Sequence, residues 1–257
     1  MKKIIIITIT AFLSFNSCKG NPNTTSVIAS EKSEKNMEAV LKIIPINHAT
    51  MVLEYENMVI YVDPVGGSDV FKAQKQPDFV LITDIHGDHL DAETLKGLNL
   101  SKATLIVPQA VKALLPKTNS QSVVVLNNTE TKQFGKLNVE AIPMYNLRKE
   151  ALKFHPKGRG NGYVLTLGNE RIYISGDTED IPEMRQLKNI DVAFVCMNLP
   201  YTMTVESAAS AVLDFKPKKV YPYHYRGTEG LSDVAKFKSL VNKENKDIEV
   251  IQLNWYE

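Results

Sequence analysis

The sequence predicts a mixed α and β domain. Apolar runs of strand length recur from about residue 40 to the C-terminus, and amphipathic helical stretches are interspersed among them. The 257 residues are 44% hydrophobic and 23% charged, which matches one large globular domain. A chain of that length buries a sizeable core without disulfide support. The formal net charge of +1 provides no overall basic field, which argues against nucleic acid or an acidic membrane as an electrostatic partner.

At the N-terminus, Met1-Lys2-Lys3 precedes an apolar run from Ile4 to Phe15, the form of a signal peptide and too short to span a bilayer as a mature helix. Asn16-Ser17-Cys18 follows, and a small residue before a cysteine at this place resembles a bacterial lipoprotein cleavage site. Residues 1–18 are therefore read as a signal peptide, and the mature protein as periplasmic and lipid-anchored through Cys18. Ordinary secretion is the alternative. Residues 19–37, rich in Asn, Thr, Ser, Glu and Lys, are expected to be a disordered tether, and 38–257 the folded domain. Cys196 lies in an apolar run and is expected to be a buried hydrophobe, with no evident disulfide partner.

Within the domain, Val40–Ile46 predicts a first strand. Thr50–Tyr55 and Met58–Val62 predict a hairpin turning at Glu56-Asn57. Strands are expected at 78–83, 103–107, 122–126 and 136–143, with a helix at 109–115. A long polar loop is expected from Met144 to Asn161. Gly162–Leu167 and Glu170–Ser175 pair across Gly168-Asn169, and 190–196 is a buried strand. Val205, Ala208, Ala209, Val212 and Leu213 recur at helical spacing, so 204–215 is an amphipathic helix, with Pro217 just beyond its end. A strand at 219–223, a helix at 232–242 and a strand at 248–253 complete the chain.

The chemistry concentrates in Val80–Asp91, V-L-I-T-D-I-H-G-D-H-L-D. An apolar strand end is followed by Asp84, His86, Asp88 and His89, and Asp91 can cap a helix starting at Ala92. Carboxylates this close repel one another in a short loop, and a bound cation removes the repulsion. His with Asp suits zinc, iron or manganese. Taken alone, the motif is equally a polar loop with two incidental histidines. Asp177 in Ser-Gly-Asp-Thr and His224 after Tyr223 favour the metal reading, since both follow strands.

These residues resemble those of the metallo-β-lactamase-fold hydrolases, whose signature is H-x-H-x-D-H followed by a His, a G-D-T aspartate and a last His. The resemblance runs from about Lys42 to Gln252. Asn47-His48-Ala49-Thr50 and Val62-Asp63-Pro64 bring it nearest to the lactonase and phospholipase-like branch. It implies an αββα four-layer sandwich, an α+β fold. Asp84 and His86 are then ligands of a first ion, Asp88, His89 and His224 of a second, and Asp177 a bridge. It also implies one or two divalent cations, zinc first and manganese or iron as alternatives, that activate a hydroxide.

Two departures stand out. Asp84 occupies the place of the signature's first histidine; it is a ligand or only a hydrogen-bonding loop residue. The intermediate histidine is absent near Tyr145-Asn146, so His155 is the candidate for it, with Asn146 competing; a substrate contact and a surface histidine are the other readings of His155. The resemblance places His48 beside the metals, supporting a ligand or facing substrate; a hydrogen-bonded loop histidine is the alternative. Asp63 either orients a ligand histidine or is simply a turn aspartate. Tyr225 can donate to a developing oxyanion, although core packing is the default for it, for Tyr201 and for Met203. Lys157 and Arg159 belong to the polar loop and can meet an anionic group, although a solvated loop is the default for both. The resulting expectation is a hydrolase of a small-molecule ester, lactone or phosphodiester, with Asp88 or a water returning the proton. A catalytically degenerate binding protein is the alternative, and a nuclease a more distant one.

Overall fold

The computed structural model describes residues 40–256. The expected signal peptide at 1–18 and the expected tether at 19–37 lie outside the described residues. No helix among the described residues is long and apolar enough to cross a membrane.

The first half of the chain builds one sheet. β1 (Lys42–Asn47), β2 (Thr50–Tyr55) and β3 (Met58–Val62) form an antiparallel meander. The β2–β3 turn is at Glu56-Asn57, as the polar pair between two apolar runs predicts, with Glu56 at φ +52°. β4 (Phe79–Leu81), β5 (Thr104–Val107) and β6 (Ser122–Val125) then add in parallel, giving the order β1-β2-β3-β4-β5-β6. Parallel neighbours need crossovers, and the last two carry α1 (Ala92–Gly97) and α2 (Gln109–Leu114). The Asp91 side chain caps α1 by accepting from the backbone amides of Glu93 and Thr94.

The second half builds the other sheet. β7 (Thr131–Phe134), β8 (Leu137–Met144), β9 (Gly160–Leu167) and β10 (Glu170–Ile174) are antiparallel. After the short α3 (Pro182–Arg185), β11 (Val192–Val195), α4 (Val205–Phe215) and β12 (Lys219–Pro222) return the chain to a parallel arrangement. A two-residue hairpin, β13 (Arg226–Gly227) and β14 (Gly230–Leu231), precedes α5 (Val234–Glu244) and the edge strand β15 (Glu249–Val250). The sheet order is β15-β12-β11-β10-β9-β8-β7.

Alternation along the strands assembles the layers. Met51, Leu53, Ile60, Val62, Leu81 and Ile106 face a core shared with Leu137, Val139, Tyr163 and Leu165 of the second sheet. Their neighbours Val52, Val59, Tyr61, Val80, Leu105 and Val107 face the opposite way, onto Leu95 of α1 and Val111 of α2. The first sheet is thus covered on both faces. On the far side of the second sheet, Phe215 of α4 sets its ring edge-on to Tyr173 of β10, with centroids 5.9 Å apart. Each such aliphatic or aromatic side chain contributes roughly 1.5–3 kcal/mol by leaving water. The αββα expectation is met.

Several elements lay beyond the sequence reading. β7, T-K-Q-F, is a largely exposed edge strand whose polar residues give no apolar pattern. α3 is one turn with Pro182 at its start. The expected strand at 248–253 pairs only at Glu249–Val250. β9 begins at Gly160, so the polar loop ends two residues earlier than expected. Cys196 is fully buried, as expected, and burial pushes its thiol up to about 12.

Candidate metal centre

The charged side chains converge where parallel strands of both sheets end, the position that open α/β sheets use for ligands. Asp63 follows β3, and the loop from Asp84 to His89 follows β4. Asp177 follows β10, and His224 follows β12. His48 lies in the turn between β1 and β2, and His155 in the loop between β8 and β9. His48, Asp63 and His224 adopt left-handed backbone, with φ of +55°, +44° and +47°. For non-glycine residues that costs about 1–3 kcal/mol each and persists where surrounding structure imposes it. In the Ser-Gly-Asp-Thr turn Gly176 has φ +60°, and a Cβ there would lie 2.5 Å from Met144 Sδ, so glycine is required.

Asp88, His89, Asp177 and His224 form one compact donor group. His89 Nε2 and His224 Nε2 are 3.2 Å apart. His224 Nε2 lies 3.2 Å from Asp177 Oδ1 and 3.4 Å from Asp88 Oδ2. His89 Nε2 lies 3.3 Å from Asp177 Oδ2 and 3.8 Å from Asp88 Oδ1. Four donors at about 2.0–2.1 Å around a tetrahedral cation stand roughly 3.3 Å apart, so the group has the size of a zinc-like site. Two further features fit a cation. Asp177 Oδ1 is buried without an aligned hydrogen-bond donor, despite the proximity of His224. Two imidazole nitrogens facing each other at 3.2 Å need a proton or a metal between them.

The electrostatics agree. Burial works against ionising Asp177, but His224 and His89 outweigh it and hold its carboxyl well below the usual range. Burial likewise opposes charging His89, but Asp177 and Asp63 overcome it and hold the imidazole well above its ordinary value. Asp88 is held down by His224 and His48 against its own desolvation. A site that gathers this much negative potential favours a divalent cation over a proton.

Supporting groups fix the ligand orientations. Asp63, fully buried, takes hydrogen bonds from Thr83 N at 2.8 Å and Thr83 Oγ1 at 2.7 Å, and lies 2.8 Å from His89 Nδ1. That holds the His89 Nδ1 proton and turns Nε2 to the centre. His155 Nδ1 lies 3.1 Å from the Tyr201 carbonyl, and its Nε2 points to Asp177 Oδ2 at 3.2 Å. Asn146 stands behind it, donating to the carbonyls of Ala151 and Tyr201, so His155 is the one of the two aimed at Asp177. His48 Nε2 is 3.4 Å from Asp88 Oδ2, and its Nδ1 is 2.7 Å from Tyr256 Oη. Burial lowers the His48 pKa, with Asp88 opposing.

A second group, Asp84, His86 and His155, lies alongside. Arg159 grips Asp84 with Nε at 3.1 Å from Oδ1 and Nη2 at 2.9 Å from Oδ2. The expectation of a solvated Arg159 is therefore corrected: an ion pair with a fully buried carboxylate draws it inward, leaving 18% of its side chain exposed. Lys157 stays on the surface, paired with Glu183 and lying over the Tyr145 ring. Tyr225 is buried with its ring edge-on to Tyr256 and belongs to neither donor group; Met203 is also buried. Tyr256, which no local pattern singles out, is the tyrosine that contacts His48.

A cavity of about 150 Å³ lined by Asn47, His48, Thr50, Val65, Asp88 and Arg226 opens beside the centre. A groove of about 790 Å³, lined by Tyr55, Phe79 and Phe134 among others, lies at the opposite end of the strands.

Two facing sheets with helices outside, and a histidine–aspartate centre at the strand ends, define the metallo-β-lactamase fold. The model of the β-lactamase superfamily domain matches residues 42–224, and the chain belongs to that superfamily. It is similar to a candidate metal-dependent hydrolase from Parabacteroides distasonis, with 39% identity, TM-score 0.74, and 83% of this chain and 93% of that one covered. A UPF0173 metal-dependent hydrolase of Nanoarchaeum equitans is 29% identical over 220 residues, 83% of this chain and 97% of its own length. A metallo hydrolase from Ignicoccus hospitalis shares the fold at 20% identity and TM-score 0.69, covering 84% and 96% of the two chains.

Proposed function

We propose that the protein is a metal-dependent hydrolase of a small-molecule ester, lactone or phosphodiester. The observation that carries this reading is the tetrahedron-sized group of Asp88, His89, Asp177 and His224. The related metal-dependent hydrolase from Nanoarchaeum equitans, aligned over most of both chains, supports it. Asp88, His89, Asp177 and His224 would hold a divalent ion, with zinc the best match to the donor set and manganese or iron the alternatives. When bound, such an ion lowers the pKa of water towards neutrality and polarises the scissile group.

The chain's own residues supply the rest. Asp63 holds His89 in one tautomer. Asp88 has the most exposed side chain of the four, at 43%, and borders the adjacent cavity, so it is placed to pass a proton to a leaving group. His48, held by Tyr256 and weakened as a base by burial, orients Asp88 and faces substrate in that cavity. Protein purified without chelator should hydrolyse at least one class in a panel of generic esters, lactones and phosphodiesters. It should lose that activity to a chelator and regain it with zinc. Turnover that survives metal removal would exclude the reading. The Asp84–Arg159 pair favours one other reading, a binding protein on an altered site; bound metal with no turnover across the panel would establish that instead.

We further propose a periplasmic protein anchored to the membrane by lipid on Cys18. The net charge of +1 argues against a nuclease. Cys18→Ala should move the protein from the membrane to the soluble fraction, and unchanged membrane fractionation would remove the anchor.

A further inference from the structure

We infer that the Arg159 guanidinium takes the place of a first cation, so that the centre holds one metal ion per chain rather than two. The inference rests on the reading above, in which Asp88, His89, Asp177 and His224 hold an ion.

The two donor groups differ in what their atoms already do. In the Asp84 group, Oδ2 lies 2.8 Å from His86 Nδ1 and 2.9 Å from Arg159 Nη2, and Oδ1 lies 3.1 Å from Arg159 Nε. Oδ2 thus has both lone pairs engaged, and the carboxylate is held side-on by a planar fork that matches it. His86 Nδ1 presents its proton to Asp84, while its Nε2 faces Arg159 Nη2 at 3.4 Å. Only His155 Nε2 lacks a partner, and it turns to Asp177. One free imidazole nitrogen is too few donors for a cation.

Charge leads to the same count. Asp84 and Arg159 cancel as a pair. Asp88 and Asp177 together carry two negative charges among neutral-capable imidazoles, which one divalent ion matches. A second divalent ion in the Asp84 group would sit against a guanidinium whose charge is permanent.

The arginine is also built in rather than draped over the surface. Its Nη2 donates to the Phe154 carbonyl. The next residues join β9, where Asn161 N donates to Thr83 O at 2.9 Å. Gly160 allows that approach, since a Cβ there would lie 2.9 Å from the same oxygen. The backbone that carries Arg159 is therefore laced to the residue preceding Asp84.

Metal stoichiometry tests the inference without recourse to activity. The full chain is loaded with excess zinc, freed of loose metal by gel filtration and analysed for zinc. In parallel, the absorption of the metal-free protein is followed during cobalt titration. Wild type should retain one equivalent, with the cobalt bands saturating at one. Arg159→Met, which removes the charge and frees Asp84, should retain two. Arg159→Lys, which keeps the charge, should retain one. Two equivalents in wild type would overturn the inference, and so would one equivalent in an Arg159→Met protein whose circular dichroism matches wild type. Should Arg159→Met fail to fold, the wild-type count decides alone. A wild type that retains no zinc overturns the metal-enzyme reading itself, a result distinct from two equivalents.

Discussion

Asp177→Ala is expected to lower zinc affinity by at least about 100-fold. Even the groups that merely hold ligands in place are worth roughly 10- to 100-fold in affinity. Asp177 offers one oxygen to the neighbourhood of His224 and the other to His89 and His155. Without it the two Nε2 atoms 3.2 Å apart lose the anion that makes a cation between them favourable. Asp177→Asn keeps the shape and removes the charge, so it should lose most of the same affinity; a rescue by Asn would mean that packing, not charge, sets the effect. Competition with a chromophoric chelator measures both variants, and an Asp177→Ala protein that binds zinc as wild type does would dismantle the site.

Asp63→Ala should act on stability as well as on metal. The carboxylate is fully buried and meets three groups: the Thr83 amide, the Thr83 hydroxyl and His89. Removing one partner of a buried, hydrogen-bonded charge pair costs about 3–5 kcal/mol, because the other partners are left unsatisfied. Denaturant unfolding of the metal-free proteins isolates this cost from any effect of zinc. Zinc affinity of the folded variant should also drop, by roughly 10- to 100-fold, as His89 loses its orientation. A loss of stability under about 1 kcal/mol, within the ordinary range of a single hydrogen bond, would mean that Asp63 is a dispensable turn residue.

A feature of this fold is legible in the sequence where its cause is local. The β2–β3 hairpin was readable because two apolar runs flank a polar pair, and α4 because its apolar residues repeat at helical spacing. The metal-capable residues were readable as types just past strand ends. What escaped was set by partners remote in the chain. Arg159 reads as one more basic residue in a polar loop; its partner Asp84 is 75 positions away. Tyr256 meets His48 across 208 positions. The choice between His155 and Asn146 likewise hung on the Tyr201 carbonyl, which only the folded loop brings to them. β7 escaped for a different reason: an exposed edge strand has no apolar face to betray it.

The donors are divided between the halves of the chain. Asp88 and His89 hang from the first sheet, and Asp177 and His224 from the second. An ion gripped by all four is a rivet through the seam of the sandwich. Its binding energy adds to cohesion by mass action, about 2.7 kcal/mol when free metal stands at 100 times its dissociation constant. Durability then becomes an environmental variable: the same polypeptide is a tougher object where metal is plentiful, and a metal-starved surrounding loosens the join between its two halves.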